Sequence, residues 1–409
     1  MMGDSRSTER TLLRWSALAT AALAVGLLAL NLTAVPVIFD VSLAGFVVAC
    51  LSAILSAILM FRRRGSLSGP ARASVVAGLG VALACALIAA YLSFLSFTKE
   101  DMTIRNGDVS LAGTLYGPPT PGPHPAAVIL HGSGPESRGQ YAYYARRLAR
   151  AGIASLVFDK RGVGDSTGSL YGSDYHDYAA DAAAAVEALR ARPDIRPDRI
   201  GLIGFSEGEW TAPLAALRAG DIAFIAVIGA SGISPARQVN AEIAMRLRRR
   251  GHTEEAIADA LALNDRVFAY QRTGEGADDL RRRLEEARSK SWFDDAHDIP
   301  AEIHPVREYG WWRSVMDFDP SPVWQRITAP VLILKGERDV HSPADIARQE
   351  ITSALARGGN RDVEFILVAD GDHMLLAWPL GEGAPPPVFA DDYLKTLIEW
   401  IRSKLDDVA

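Results

Sequence analysis

The hydrophobic pattern changes character several times along the chain. Three long apolar stretches come first, at residues 13–32, 41–61 and 73–97. The first carries a single charge, Arg14, and the other two carry none. A helix needs about 20 apolar residues to cross the hydrocarbon core, so the pattern predicts three membrane helices within residues 1–98. A cleaved leader has a shorter core and could account only for the first of them. From residue 101 the pattern alternates. Val109, Leu111, Gly113 and Leu115 fall at every second position, as in an antiparallel edge hairpin. The run 117–123, G-P-P-T-P-G-P, is a loop by composition.

Short apolar runs then recur at 126–130, 154–158, 200–203 and 224–228. Helical periodicity separates them at 141–151, at 178–190 and from Ala212 onward. Strand alternating with helix at this spacing predicts a mainly parallel sheet with helices on both faces. The rhythm stops over 234–327, where helical patterns at 239–249 and 254–270 occur without a convincing strand. It resumes with a strand at 330–334, a helix at 344–357, a strand at 363–368 and a helix at 391–404. A helical insert between the sixth and seventh strands sits where a lid would. The expected layout is therefore a membrane module (1–98), a first catalytic part (99–233), a helical cap (234–327) and a second catalytic part (328–409).

Charge narrows the partners. A net charge of -6 over 409 residues argues against a nucleic-acid-binding surface. The arginine clusters at 248–250 and 281–283 have Glu254, Glu255, Glu285 and Glu286 beside them, and read as solvated helix faces. Only two cysteines occur, Cys50 and Cys85, both in the apolar segments, so no disulfide framework supports the polar part. Arg6, Arg10 and Arg14 flank the first apolar stretch, and Arg62, Arg63, Arg64 and Arg72 link the second to the third. Residues 33–40 contain no basic residue. By the positive-inside rule both basic segments stay in the cytoplasm. An inner-membrane protein with its catalytic region on the extracytoplasmic side is the expectation.

The chemistry centres on Gly204-Phe205-Ser206-Glu207-Gly208, a serine wedged between a strand and a helix with glycines two residues to either side. So tight a turn strains the serine backbone, and larger side chains at 204 and 208 would collide with neighbouring backbone. Further along, His131-Gly132-Ser133-Gly134-Pro135 leaves the third strand, and Asp159-Lys160-Arg161-Gly162-Val163-Gly164-Asp165-Ser166 leaves the fourth. With these motifs the chain from about residue 101 resembles the α/β-hydrolases, and in particular bacterial serine esterases. The resemblance covers about three quarters of the chain and excludes the apolar stretches. It implies an α/β-hydrolase fold and a triad in the order nucleophile, acid, histidine: Ser206, then Asp339 after the seventh strand, then His373 after the eighth. Glu209 replaces the second glycine that commonly follows Gly208, which narrows the site or adds a charge to it.

Elementary chemistry leads to the same residues. A serine hydroxyl needs a base, and the base needs a carboxylate to hold its tautomer. Of eight histidines, His373 is taken as the base: it sits on the loop after the eighth strand, close to Gly371. His131 reads as shaping its own loop, and His341 follows the acid too closely to face it easily. Glu337 is the rival of Asp339, and Asp370 and Asp372 read as turn formers. An oxyanion hole needs two backbone donors: Glu207 supplies one, and Ser133 or Gly132 the other. The 159–166 loop lacks the lysine–hydroxyl pair of a phosphate loop and reads as a brace in which Arg161 pairs with Asp159. Asp370, Asp372 and His373 could ligate a metal, but no zinc-type spacing accompanies them, so neither metal nor other cofactor is expected. Tyr309, Trp311, Trp312 and Phe318 either wall an acyl pocket or simply pack. The expected partner is a small-molecule acyl or ester substrate; oligomeric state is left open. Alternatives on the same residues are a serine peptidase, with Glu207 or Glu209 gripping a free amine, an acyltransferase, or a ligand sensor without catalysis.

Overall fold

The computed structural model describes residues 97–377, 388–390 and 393–405. The three stretches expected to span a membrane therefore lie, but for Phe97, outside the described residues. Among the described residues no helix is long and apolar enough to cross a membrane. Thr98–Ala377 and Ala390–Ala409 belong to one unit, and its centre is a sheet of eight strands in the order β1-β2-β4-β3-β5-β6-β7-β8.

The sheet begins with the expected hairpin, β1 (Thr98–Asn106) and β2 (Val109–Gly117), in antiparallel register from Thr98↔Gly117 to Asn106↔Val109. The first four residues of β1 are exposed, as an edge strand with one face in water allows. β3 (His124–Leu130), β4 (Ala154–Phe158), β5 (Ile195–Phe205), β6 (Ile225–Ile228), β7 (Val331–Gly336) and β8 (Val363–Val368) are mutually parallel. Each crossover carries at least one helix: α1 (Arg138–Arg150), α2 (Tyr175–Arg190), α3 (Gly208–Ala219) and, between β7 and β8, α9 (Ala344–Arg357). The sheet has the expected α/β-hydrolase arrangement. Its interior is the predicted set of apolar runs: β4, β6 and β7 are buried at every residue, as is β5 from Ile200 to Phe205. A strand covered on both faces must be apolar at consecutive positions, which is why these runs do not alternate.

Local signals set the helix starts. Asp174 caps α2, accepting from the His176 and Asp177 amides at 2.8 and 3.1 Å, while Asp177 returns a bond to the Asp174 amide. The helix consequently begins three residues before the apolar periodicity does.

Between β6 and β7 come α4 (Pro235–Arg249), α5 (Glu254–Thr273), α6 (Ala277–Ala287), α7 (Gly310–Val315) and α8 (Ser321–Trp324), with no strand among the described residues of this segment. The insert has its own core, in which Ile243, Leu247, Ile257, Val267, Leu280 and Leu284 are buried together. The arginine clusters lie on its surface in ion pairs, such as Arg248 with Glu254 and Arg283 with Asp279, both at 2.7 Å. α10 (Tyr393–Leu405) closes the unit, burying Leu394, Leu397 and Ile401.

Candidate active site

Ser206 stands between the end of β5 and the start of α3 with φ +49, in the left-handed region. A side chain there costs about 1–2 kcal/mol, so the surrounding contacts must hold it. The Ser206 amide donates to the Ile228 carbonyl at 2.8 Å, and its carbonyl accepts from the Glu209 amide at 2.8 Å. Gly204 permits the bend. A Cβ at that position would lie 2.4 Å from the Gly208 carbonyl oxygen.

The loop after β7 carries Asp339, and the loop after β8 carries His373. Their mutual approach depends on backbone at van der Waals contact: a Cβ on Gly336 would lie 2.1 Å from the Asp372 carbonyl oxygen. The three side chains form one line. His373 Nε2 lies 2.8 Å from Ser206 Oγ, and His373 Nδ1 lies 2.9 Å from Asp339 Oδ2. Glu337 turns aside, its carboxylate accepting from the Asp370 amide at 3.2 Å. Asp372 Oδ1 accepts from the amides of Met374 and Leu376, both at 2.9 Å, in the turn-forming role expected of it.

Asp339 is fully buried. Burial alone raises its pKa, but the hydrogen bond and charge of His373, with the Lys335 ammonium, hold the carboxyl well below the usual carboxylate range. Lys335 was not singled out by the sequence. Its Nζ lies 2.7 Å from Asp339 Oδ2. The available signal was a lysine closing a wholly apolar strand, four residues before the acid, since a charge in such a place requires a partner.

The turn after β3 is organised differently from expectation. The Gly132 amide already donates to Glu136 Oε2 at 2.6 Å and to the Tyr141 hydroxyl at 2.9 Å. It is not available to an oxyanion, which corrects its candidacy. Ser133 is exposed at the same turn, and Glu207 follows the serine as the first residue of the helix cap. The Glu207 side chain points inward to a buried ion pair with Lys160, whose Nζ also donates to the Gly132 carbonyl at 2.9 Å. Burial pushes the Glu207 carboxyl up, against the Lys160 charge.

Glu209 brings no charge to the surface. It is buried, and its carboxylate accepts from Ser231 N (2.8 Å), Ser231 Oγ (2.5 Å) and Gly232 N (2.7 Å), bracing the exit of β6. Burial pushes its pKa up to about 7, against those hydrogen bonds. Both carboxylates are turned into buried contacts within the unit.

One further expectation is corrected. Arg161 does not pair with Asp159. Its guanidinium grips Asp181 on α2 at 2.6 and 2.7 Å, while Asp159 accepts from Arg138 and from the Asp165 amide. Brace and partner were assigned within one loop because sequence proximity suggested it, whereas topology brings α2 closer. In the aromatic group Trp312 and Tyr309 pack on Phe268 and Tyr270 of α5, whereas Phe318 packs on Tyr175 and Trp311 on Tyr171. His131 holds its loop as expected, its Nε2 lying 2.5 Å from the Phe158 carbonyl; burial, and then Lys160, lower its pKa to about 3.

His341 lies nearer the site than its position in the chain suggested. Its amide donates to Asp339 Oδ1 at 2.8 Å, and its ring centroid is 4.2 Å from that of His373. Its Nδ1 lies 2.8 Å from Glu242 Oε2 on α4, which ties the insert to the loop bearing the acid.

Residues 121–257 match the family model described as serine aminopeptidase, S33. Esterase EstD of Thermotoga maritima is 25% identical over 312 residues, covering 73% of this chain and 64% of that protein. The quorum-quenching protein AidA of Acinetobacter baumannii is 34% identical over 109 residues, 26% of this chain and 36% of that protein. The chain thus spans less than two thirds of the length of these relatives. Among solved structures, the proline iminopeptidase of Mycobacterium smegmatis aligns at a TM-score of 0.47 with 18% identity, covering 75% of this chain and 98% of that one.

Proposed function

We propose that this chain, a hydrolase of the α/β-hydrolase superfamily, is a membrane-anchored serine hydrolase that cleaves a carboxylic ester or related acyl bond through an acyl-enzyme. The observation that carries the reading is the hydrogen-bonded line Ser206–His373–Asp339, with links of 2.8 and 2.9 Å. Ser206 Oγ attacks the acyl carbon as its proton passes to His373 Nε2, while Asp339 holds the ring and balances the imidazolium. The amides of Glu207 and Ser133 receive the negative charge that develops on the carbonyl oxygen. His373 then gives its proton to the leaving alkoxide, and an acyl-serine remains. Water, deprotonated by His373, attacks that ester, and the acid leaves with Ser206 restored.

A fluorophosphonate probe should label the protein at Ser206, and Ser206→Ala should lose turnover on the order of a million-fold. Labelling that persists in Ser206→Ala would exclude this nucleophile. The esterase name of the Thermotoga relative supports ester over peptide substrates, whereas the family description favours an aminopeptidase. With Glu207 and Glu209 both engaged internally, no carboxylate from the elbow holds a free amino end, so we favour the ester. Aryl esters compared with aminoacyl anilides test that choice.

The anchor and its orientation rest on the three apolar stretches and the placement of arginine around them. The catalytic unit would then face the extracytoplasmic side of the inner membrane. A phosphatase fusion after Asp101 should be active; an inactive one beside an active cytoplasmic reporter would reverse the topology.

A further inference from the structure

Lys335 occupies a place where a cation is costly. All six residues of β7 are buried, and the lysine side chain has no exposure to solvent. Such an ammonium requires full compensation. Its three N–H groups have three acceptors: Asp339 Oδ2 at 2.7 Å, Ser342 Oγ at 2.7 Å and the Ala230 carbonyl at 2.9 Å. Asp339 Oδ2 is also the atom that faces His373 Nδ1, while Oδ1 takes the His341 amide. The carboxylate is thus held by a cation, a ring and a backbone donor together. Its negative charge is shared between the imidazole and a fixed buried cation.

We propose that Lys335 is a positioning residue of the hydrolytic site: acting through Asp339, it fixes the carboxylate against which the His373 ring is set. The inference rests on the serine-hydrolase reading above. The sign follows from charge. A cation behind the acid disfavours a second cation on the imidazole, so its removal favours imidazolium and inactivates the base at higher pH. Other charged groups surround the pair. His341 packs on His373 and is itself bonded to Glu242, and Asp372 is engaged by the Met374 and Leu376 amides. Glu209, bonded to Ser231 and Gly232 beside Ala230, faces the lysine from α3. None of these occupies the Oδ2 position in its place.

The test is the pH dependence of kcat/KM on an aryl ester for the full chain, Lys335→Met and Lys335→Gln. Lys335 Nζ and His373 Nδ1 both lie against Asp339 Oδ2, at 2.7 and 2.9 Å, so loss of the lysine charge in a partly screened interior should move the acid limb upward by about one to two pH units. Lys335→Gln keeps a hydrogen-bond donor without the charge, so it should show the same displacement. A uniform loss at every pH, or a Lys335→Gln limb that coincides with wild type, would overturn the proposal. Should Lys335→Met not fold, the double variant with Asp339→Asn leaves neither charge alone and should fold; failure to do so also overturns it. Wild-type turnover and Ser206 labelling are measured first. Their absence would defeat the underlying reading, whereas their presence with an unmoved limb defeats only the role of Lys335.

Discussion

Replacing Gly229 by alanine should disable the site while leaving most of the fold intact. Gly229 follows β6 at φ +73, with its amide bonded to the Leu334 carbonyl at 3.0 Å. A Cβ there would lie 2.8 Å from the His373 carbonyl oxygen, 2.9 Å from Cε1 and 3.1 Å from Nδ1. Carbon atoms settle at about 3.5–4.0 Å, so the ring would have to retreat by about 0.6 Å or more. The bond to Ser206 Oγ, now 2.8 Å, would stretch toward the outer end of the productive range of about 2.6–3.2 Å or past it. Misplacement on this scale costs on the order of 10–100-fold in kcat. The left-handed backbone adds about 1–2 kcal/mol of strain. Gly152→Ala separates the two effects, because Gly152 has φ +89 and open space where its Cβ would be. Both variants should melt earlier, but only Gly229→Ala should lose kcat on an aryl ester. A Gly229→Ala enzyme whose kcat stays within about threefold of wild type would refute the claim that this glycine sets the position of His373.

Two other perturbations test the surroundings of the site. Lys160→Met strands the Glu207 carboxylate in a buried position, which should cost about 3–5 kcal/mol in urea unfolding; Lys160→Met with Glu207→Leu should recover most of it, and a double variant as unstable as the single would contradict the pairing. For the link between insert and catalytic loop, the Glu242 hydrogen bond, opposed by burial, raises the His341 pKa. A raised imidazole contributes stability in full below its unfolded value of about 6.5, and loses it as pH climbs through the folded value. Amide protection factors in α4, with the intrinsic base-catalysed exchange rate divided out, should therefore be higher at about pH 6 than at about pH 8.5, and Glu242→Gln should flatten the difference. An unchanged difference in Glu242→Gln would assign it to other groups. His341 is more than a third exposed, so solvent screening keeps the effect small.

How far the chain could be read without coordinates depended on the range of the interaction. The turn at Ser206 was legible because strand, glycines and helix are contiguous, and all report on one local geometry. Asp339 and His373 were named through the resemblance, which implies an acid after the seventh strand and a histidine after the eighth. The partners of buried charges were not. Arg161 looked paired with Asp159, two residues away, yet its acceptor is Asp181 on a helix that follows the loop. Gly132 qualified as an oxyanion donor by composition, but Tyr141 and Glu136, from the next helix and its approach, claim its amide. Lys335 went unremarked although it interrupts an apolar strand, and only the fold shows that its charge is shared with Asp339. The insert's helices were readable by period, while Tyr309 parted from Trp311 because each packs on a different core.

The strand order has a bearing on how the molecule comes into being. Ser206 is seated by β5 and β6, which are made early, whereas Asp339 and His373 ride on β7 and β8, after the whole helical insert. Domains assemble as they leave the ribosome, at about 5–20 residues per second. The growing polypeptide would carry Ser206 for about 10–30 seconds before His373, 167 residues later, could reach it. The line Ser206–His373–Asp339 is thereby completed only when the last pair of strands docks.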